Sequence, residues 1–257
     1  MTMAASARIR SPRVAEIVAS RLRDDILSGR LREGDVLPSQ ESLFTEFGVS
    51  PPALREAIHI LETDGLVSVR RGNMGGAVVH LPSAERTAHM ISMVLQSRSS
   101  TPADVSGALM HLEPICAGMC AARVDRMSEV VPFLQAEIDR QEEQFEDTAQ
   151  YVPNARRFHE ALVSRCGNEP MILLIGSLEL IWSAHESSVW SDDDVNHKTM
   201  RAALRDHQRM LDAVRDGNAT RAVRLAQDHL AAARRNTLAV GTDKTIEAKL
   251  ISRSSGQ

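Results

Sequence analysis

Three histidines carry the first chemistry this sequence suggests. His159 shares a helical face with Ala155, Leu162 and Cys166, His207 with Leu204, Leu211 and Val214, and His229 with Ala222, Ala226 and Ala233. Each set follows the spacing of an inward-facing helix stripe. A single histidine on an apolar face is ordinarily a satisfied core residue. Three on separate helices can converge, and converging neutral imidazoles make a divalent-metal site suited to Zn or Ni. Open coordination at such a site would also suit a metal-dependent hydrolase. That alternative lacks a general base, because Glu160 follows His159 directly and falls on another face. A second set of residues is aimed at nucleic acid. Arg55 lies beside the core residue Leu54 but off its apolar stripe, so its guanidinium can fork onto guanine O6 and N7 or meet a phosphate. Ser50 can donate to a phosphate, cap a helix, or do both.

The elements that must position Ser50 and Arg55 lie within 37–79. Ser39 caps a helix bearing Leu43, Phe44 and Phe47, and Gly48 ends it in a tight turn. Ser50 starts the next helix, with Pro51 and Pro52 in its first turn, where backbone N–H groups have no intrahelical partner. Leu54, Ala57, Ile58 and Leu61 form its core face, and Gly65 stops it. Strands follow at 66–69 and 77–80 around a glycine-rich tip at 70–76. Two helices, a tight turn and a hairpin make a winged helix-turn-helix, whose second helix is suited to a DNA major groove. A preceding helix over 13–28 carries Val14, Val18, Leu22 and Ile26 on one stripe.

Beyond Leu81-Pro82-Ser83 the pattern is helical throughout. The spans are 83–97, 102–124, 128–148, 153–166, 169–190, 194–216 and 219–238. The expected organisation is a DNA-binding domain with an N-terminal arm over 1–82, an all-α antiparallel bundle over 83–240, and a flexible tail over 241–257. The fold class is therefore mainly α, with one small β-hairpin wing.

Composition supports this division. The chain has 257 residues, 43% of them hydrophobic but only 3% aromatic, enough for two helical cores. No run of about 18 apolar residues predicts a membrane span. The first thirteen residues lack the apolar core of a secretion signal, so a cytoplasmic location is expected. Cys116, Cys120 and Cys166 include no CxxC pair and read as reduced, buried thiols. The net charge is −4, yet residues 1–82 balance ten arginines against ten carboxylates. Arg8 and Arg10 in the arm, with Arg55, Arg70 and Arg71, can still form a local basic patch on that neutral domain.

Gly34, Leu37-Pro38-Ser39, Gly48-Val49-Ser50, Leu54-Arg55-Glu56-Ala57, Leu61 and Gly65-Leu66 resemble the winged-helix domain of the GntR superfamily of bacterial transcription regulators. The helical part resembles the FCD ligand-binding domain of the FadR-type branch. That resemblance rests on Leu112-Glu113-Pro114, Phe158-His159, Gly167-Asn168, Asp206-His207, Gly217-Asn218 and Asp228-His229-Leu230. It implies a ligand-responsive regulator, more often a repressor, that binds a palindromic double-stranded DNA operator as a homodimer. It implies a wing tip, Arg71-Gly72, that enters the minor groove, and an effector cavity reached by Glu113, His159, His207 and His229. An architectural DNA-binding dimer without effector is a further alternative, and it would need no polar residues in that cavity.

Four departures from the family pattern bear on these expectations. Glu41 and Pro51 stand where relatives often place DNA-contacting arginine or polar residues. Ala155 stands where many FCD proteins have a metal-binding aspartate, one turn before the first histidine. Leu109-Met110-His111 occupies the stretch where carboxylate-binding members have arginine. Met90, Met93, Met110, Met119 and Met171 could instead line a softer pocket for a hydrophobic or acyl-CoA-like effector.

Overall fold

The computed structural model describes residues 14–70, 76–189, 197–238 and 245–248. They fall into two compact units, Met1–Ser83 and Ala84–Gln257.

The first unit contains α1 (Val14–Leu27), α2 (Gln40–Phe47), α3 (Pro51–Thr63), β1 (Val67–Arg70) and β2 (Gly76–Val79). The amphipathic periods meet in one core, where Val18, Leu22 and Ile26 of α1 join Leu43, Leu54, Ala57 and Leu61. Ser39 caps α2 by accepting from Ser42 N at 3.2 Å. Gly48 ends that helix at φ 62°, the left-handed region where a side chain would be strained. Ser50 occupies the N-cap of α3, but its side chain makes no capping bond. The expected double use of this hydroxyl is corrected to that extent: Pro52, at the second helical position, has no N–H for a cap to accept.

β1 and β2 pair antiparallel from Val67↔Val79 to Arg70↔Gly76. The strands therefore sit one residue from the expected positions. Val36 bridges to Val78, so the chain ahead of α2 extends the ladder. A Cβ at Gly76 would lie 2.7 Å from Val36 Cγ1, which explains the missing side chain there.

The second unit consists of α4 (Ala84–Ser97), α5 (Pro102–Ala122), α6 (Arg126–Glu129), α7 (Val131–Glu143), α8 (Thr148–Ser164), α9 (Glu169–Val189), α10 (His197–Arg215) and α11 (Ala219–Leu238). The span expected over 128–148 is broken into α6 and α7, with Pro132 placed in the first turn of α7. α8 begins ahead of Pro153 and not at it. A proline near a helix N-terminus removes only one intrahelical bond, so the preceding turn can still form.

α5 is the central helix. Thr101 and Asp104 form a reciprocal capping box at its start. By length and composition alone it could cross a membrane, although Asp104, His111 and Glu113 interrupt it and leave no unbroken apolar run. Here its apolar surface packs against α8, α9, α10 and α11. Gly118 lets α11 approach closely, for a Cβ there would lie 2.7 Å from Val223 Cγ2. The three thiols are free and buried. Burial raises Cys120 to about 12 and pushes Cys116 higher.

The stretch expected to be a tail contributes to this core. Ile246 is buried among the helices, and its N–H donates to Ser100 O at 3.0 Å. Ala248 N donates to Gln96 Oε1 at 2.8 Å. An isolated isoleucine in a polar segment has no periodicity to announce that role.

Candidate functional site

α8, α10 and α11 each deliver one histidine to a common point inside the second unit. The ligating nitrogens of His159, His207 and His229 all lie within 4.8 Å of one another. His207 Nε2 is 3.2 Å from His229 Nε2, which is 3.3 Å from His159 Nε2. His207 and His229 are buried, and His159 retains partial exposure.

The opposite ring nitrogens are held by oxygen. His159 Nδ1 pairs with Glu113 Oε1, from α5. His207 Nδ1 lies 2.8 Å from Gln141 Oε1, from α7. Gln141 donates its own amide to Glu137 O at 3.1 Å, which orients the oxygen toward the imidazole. His229 Nδ1 faces Asp206 Oδ2 at 3.7 Å. The Phe158 ring stacks on His207 with centroids 4.2 Å apart.

These partners select the Nδ1–H tautomer, leaving Nε2 lone pairs directed at one another. Protons cannot satisfy all three without displacing the outer hydrogen bonds. Burial, followed by the neighbouring imidazoles, drives His207 well below the ordinary histidine pKa. Burial also lowers His229, against the opposing pull of Asp206. Asp206 is held below its ordinary carboxylate value, chiefly by its bond to His229. Three imidazole nitrogens with oriented outer shells are, once free of protons, the donor set a Zn- or Ni-type cation takes. The observed spacings approach the roughly 3.3–3.4 Å between nitrogens at about 2.1 Å around a tetrahedral ion.

Ala155 supplies no carboxylate to this centre. Its neighbour Asn154 is buried and donates to Gln144 Oε1 at 2.8 Å. Glu113, Gln141 and Asp206 thus form the outer shell; sequence reading anticipated only Glu113 as a site residue. Asp206 adjoins a histidine in sequence, but no periodicity links Gln141 to His207, 66 positions away.

For the methionines, the sequence weighs a soft pocket lining against ordinary core packing and favours the latter for most of them. Met90 and Met93 are exposed on α4, while Met119 and Met171 pack against the core.

On the first unit, Arg55 and Ser50 are exposed together near the start of α3, and Glu41 is exposed on α2. Arg70 ends β1 at the wing. Arg8, Arg10, Arg71 and Gly72 lie outside the described residues. The base of the wing is braced by a relay with no sequence signature. Ser68 Oγ is 2.8 Å from His80 Nε2, and His80 Nδ1 is 2.9 Å from Glu33 Oε1.

Comparison with known proteins places both units. Residues 14–79 match the family described as "Bacterial regulatory proteins, gntR family", and residues 104–232 match the FCD domain. The HTH-type transcriptional repressor NanR of Klebsiella aerogenes is 26% identical over 237 residues, covering 90% of this chain and 88% of that protein. The NanR repressor of Cronobacter sakazakii is 27% identical over 224 residues, covering 85% and 83%. The solved structure of Streptococcus agalactiae GntR matches at a TM-score of 0.67 and 22% identity, over 86% of this chain and 99% of that one. That structural likeness establishes the shared fold.

Proposed function

The chain belongs to the GntR family of bacterial regulatory proteins, with an FCD domain as its C-terminal unit, and from that premise we propose a ligand-responsive repressor. It is a transcription regulator and not an enzyme. In the proposed reading it acts in the cytoplasm as a homodimer on a palindromic operator. A small metabolite in the helical unit alters its affinity for DNA.

The observation that carries this reading is the convergence of three Nε2 atoms inside the FCD unit. A dimer with a purely architectural role has no use for a buried polar centre, whose desolvation costs stability unless something binds there. His159, His207 and His229 would hold a divalent cation of the Zn or Ni type. That cation would supply a positive centre for an effector's oxygen atoms. Glu113, Gln141 and Asp206 orient the three rings and keep their Nε2 positions free of protons.

On DNA, Arg55 would read a guanine while Ser50 donates to a phosphate. Ser50 suits that role because α3 makes no side-chain use of its hydroxyl. Arg8, Arg10, Arg71 and Gly72 would add arm and minor-groove contacts. Glu41 provides no cation and Pro51 no backbone donor, so this operator should differ from those of relatives with arginine or polar residues at those places.

The test is operator binding by the full chain, with zinc and after chelation, across candidate metabolites. Sequence-specific binding that changes with a metabolite supports the reading. Binding indifferent to every metabolite and to zinc returns the architectural alternative.

A further inference from the structure

We propose that Arg70 contacts a DNA phosphate from the wing, and that His80, held between Glu33 and Ser68, is the positioning residue that sets it. This rests on the reading of the first unit as an operator-binding domain.

Arg70 ends β1 and is exposed. It makes no ion pair and no side-chain hydrogen bond among the described residues, whereas Arg23 is committed to Asp64 and Arg30 to Asp25. A guanidinium that meets a phosphate well has its fork unoccupied and leaves the protein from a fixed backbone.

The backbone ladder alone gives little of that fixity. β1 is an outer strand paired to β2 over four residues, and a two-stranded hairpin is marginal by itself. Side chains supply two ties. In the first, Ser68 Oγ is 2.8 Å from His80 Nε2, and His80 Nδ1 is 2.9 Å from Glu33 Oε1. The second oxygen of Glu33 accepts from Leu81 N. The Glu33 carboxylate only accepts, so His80 Nδ1 donates to it and the neutral ring's Nε2 accepts from the Ser68 hydroxyl. Glu33 is itself anchored, because the next residues pair with β2: Gly34 N donates to Val79 O at 3.0 Å and Val79 N to Asp35 O at 2.8 Å. The second tie comes from α3, where Glu62 Oε1 accepts from Val69 N at 3.4 Å.

Side chains alternate along a strand, so Ser68 and Arg70 share one face of the hairpin. The relay thus grips β1 two residues before Arg70 and on the face from which Arg70 projects. Cutting it leaves the guanidinium in place but frees the strand end that aims it.

The test uses the full chain and a duplex that the wild type enriches from a randomised library. Affinity is measured across salt concentrations, because the slope of log affinity against log salt counts phosphate contacts, about 0.9 for each. Arg70→Ala should make the slope shallower by about 0.9 for each wing bound. His80→Phe, which keeps a ring but neither nitrogen, should do the same. The double variant should be no shallower than either single one, since His80 acts through Arg70. Glu33→Gln, with one acceptor oxygen for two donors, should shift the slope in the same direction. A His80→Phe protein that loses thermal stability but keeps the wild-type slope overturns the positioning role. An unchanged slope in Arg70→Ala overturns the phosphate contact, and additive shifts in the double variant break the link between the two residues. Should His80→Phe fail to fold, Ser68→Ala cuts the relay at its strand end and carries the same expectation. If no duplex is enriched, the operator-binding reading itself fails. An enriched duplex with unchanged slopes leaves that reading standing and removes this one.

Discussion

At the scale of single residues, direction matters more than residue type. Arg55 is exposed beside a core leucine, so its removal should not disturb packing. We expect Arg55→Ala to weaken operator binding by about 1–3 kcal/mol and relax specificity at one position per half-site. Quantitative footprinting on randomised half-sites measures both, and unchanged affinity in a folded variant removes the assignment. At the histidine centre, Ala155 sits one helical turn from His159, where a carboxylate could join three neutral donors. Ala155→Asp should tighten zinc binding and His207→Ala should weaken it, as read by calorimetry against a competing chelator. If neither changes the affinity, the three rings are packing or effector-contacting residues and hold no metal. Glu179 gives a pH signature. Burial, then Glu113 and Glu160, raises its folded-state pKa well above the ordinary carboxylate value. The folded state then holds a proton that the unfolded state has released, so stability falls as pH rises through that window. In metal-free protein, Glu179→Gln should melt higher than wild type at neutral pH, with the advantage shrinking near pH 4. A melting difference independent of pH would count against a buried, desolvated carboxylate.

At the scale of elements, the helices are placed by small residues as much as by large ones. α5 and α11 approach across Gly118, with Ala117, Ala121, Ala222 and Ala226 buried in the same core. Their contact sets where His229 stands relative to Glu113. Gly118→Leu should overpack this seam and cost about 1–3 kcal/mol in urea unfolding. It should also reduce zinc affinity, because the shifted α11 carries His229 with it. Normal stability together with normal zinc binding would mean that the helices are not held at this point. The broken 128–148 span is a related lesson. Polar periodicity runs through it, but a helix break at 130 lets α7 turn so that Gln141 reaches His207. Periodicity reports which face is buried and does not mark where a continuous pattern bends.

At the scale of the whole molecule, charge and symmetry govern how the regulator finds DNA. The first unit has no net charge to draw it along a phosphate backbone, so in the proposed reading affinity comes from local contacts at Arg55, the arm and the wing. The proposed homodimer would present those contacts twice. The footprint should therefore be a two-fold palindrome whose half-site centres fall about one helical turn, roughly 34–36 Å, apart or a multiple of it. Protection with no sequence preference, or of a single half-site by a monomer, would overturn this.

The sequence by itself determined the order and kind of elements in the winged helix and the division into two units. Those features are encoded locally: apolar stripes at helical spacing, Ser39 as a cap, Gly48 at a left-handed turn, and strands around a glycine-rich tip. It also put His159, His207 and His229 on inward faces, since a face is a property of one helix. What it could not specify was how far each helix slides and rotates against its neighbours. Packing of Gly118 on Val223 and of Phe158 on His207 decided that. Only then did Glu113 meet His159, Gln141 meet His207, Ile246 enter the core and Glu179 come to lie without a donor. Each depends on residues brought together from distant parts of the chain, and a periodic pattern within one helix contains no information about its partner across the core.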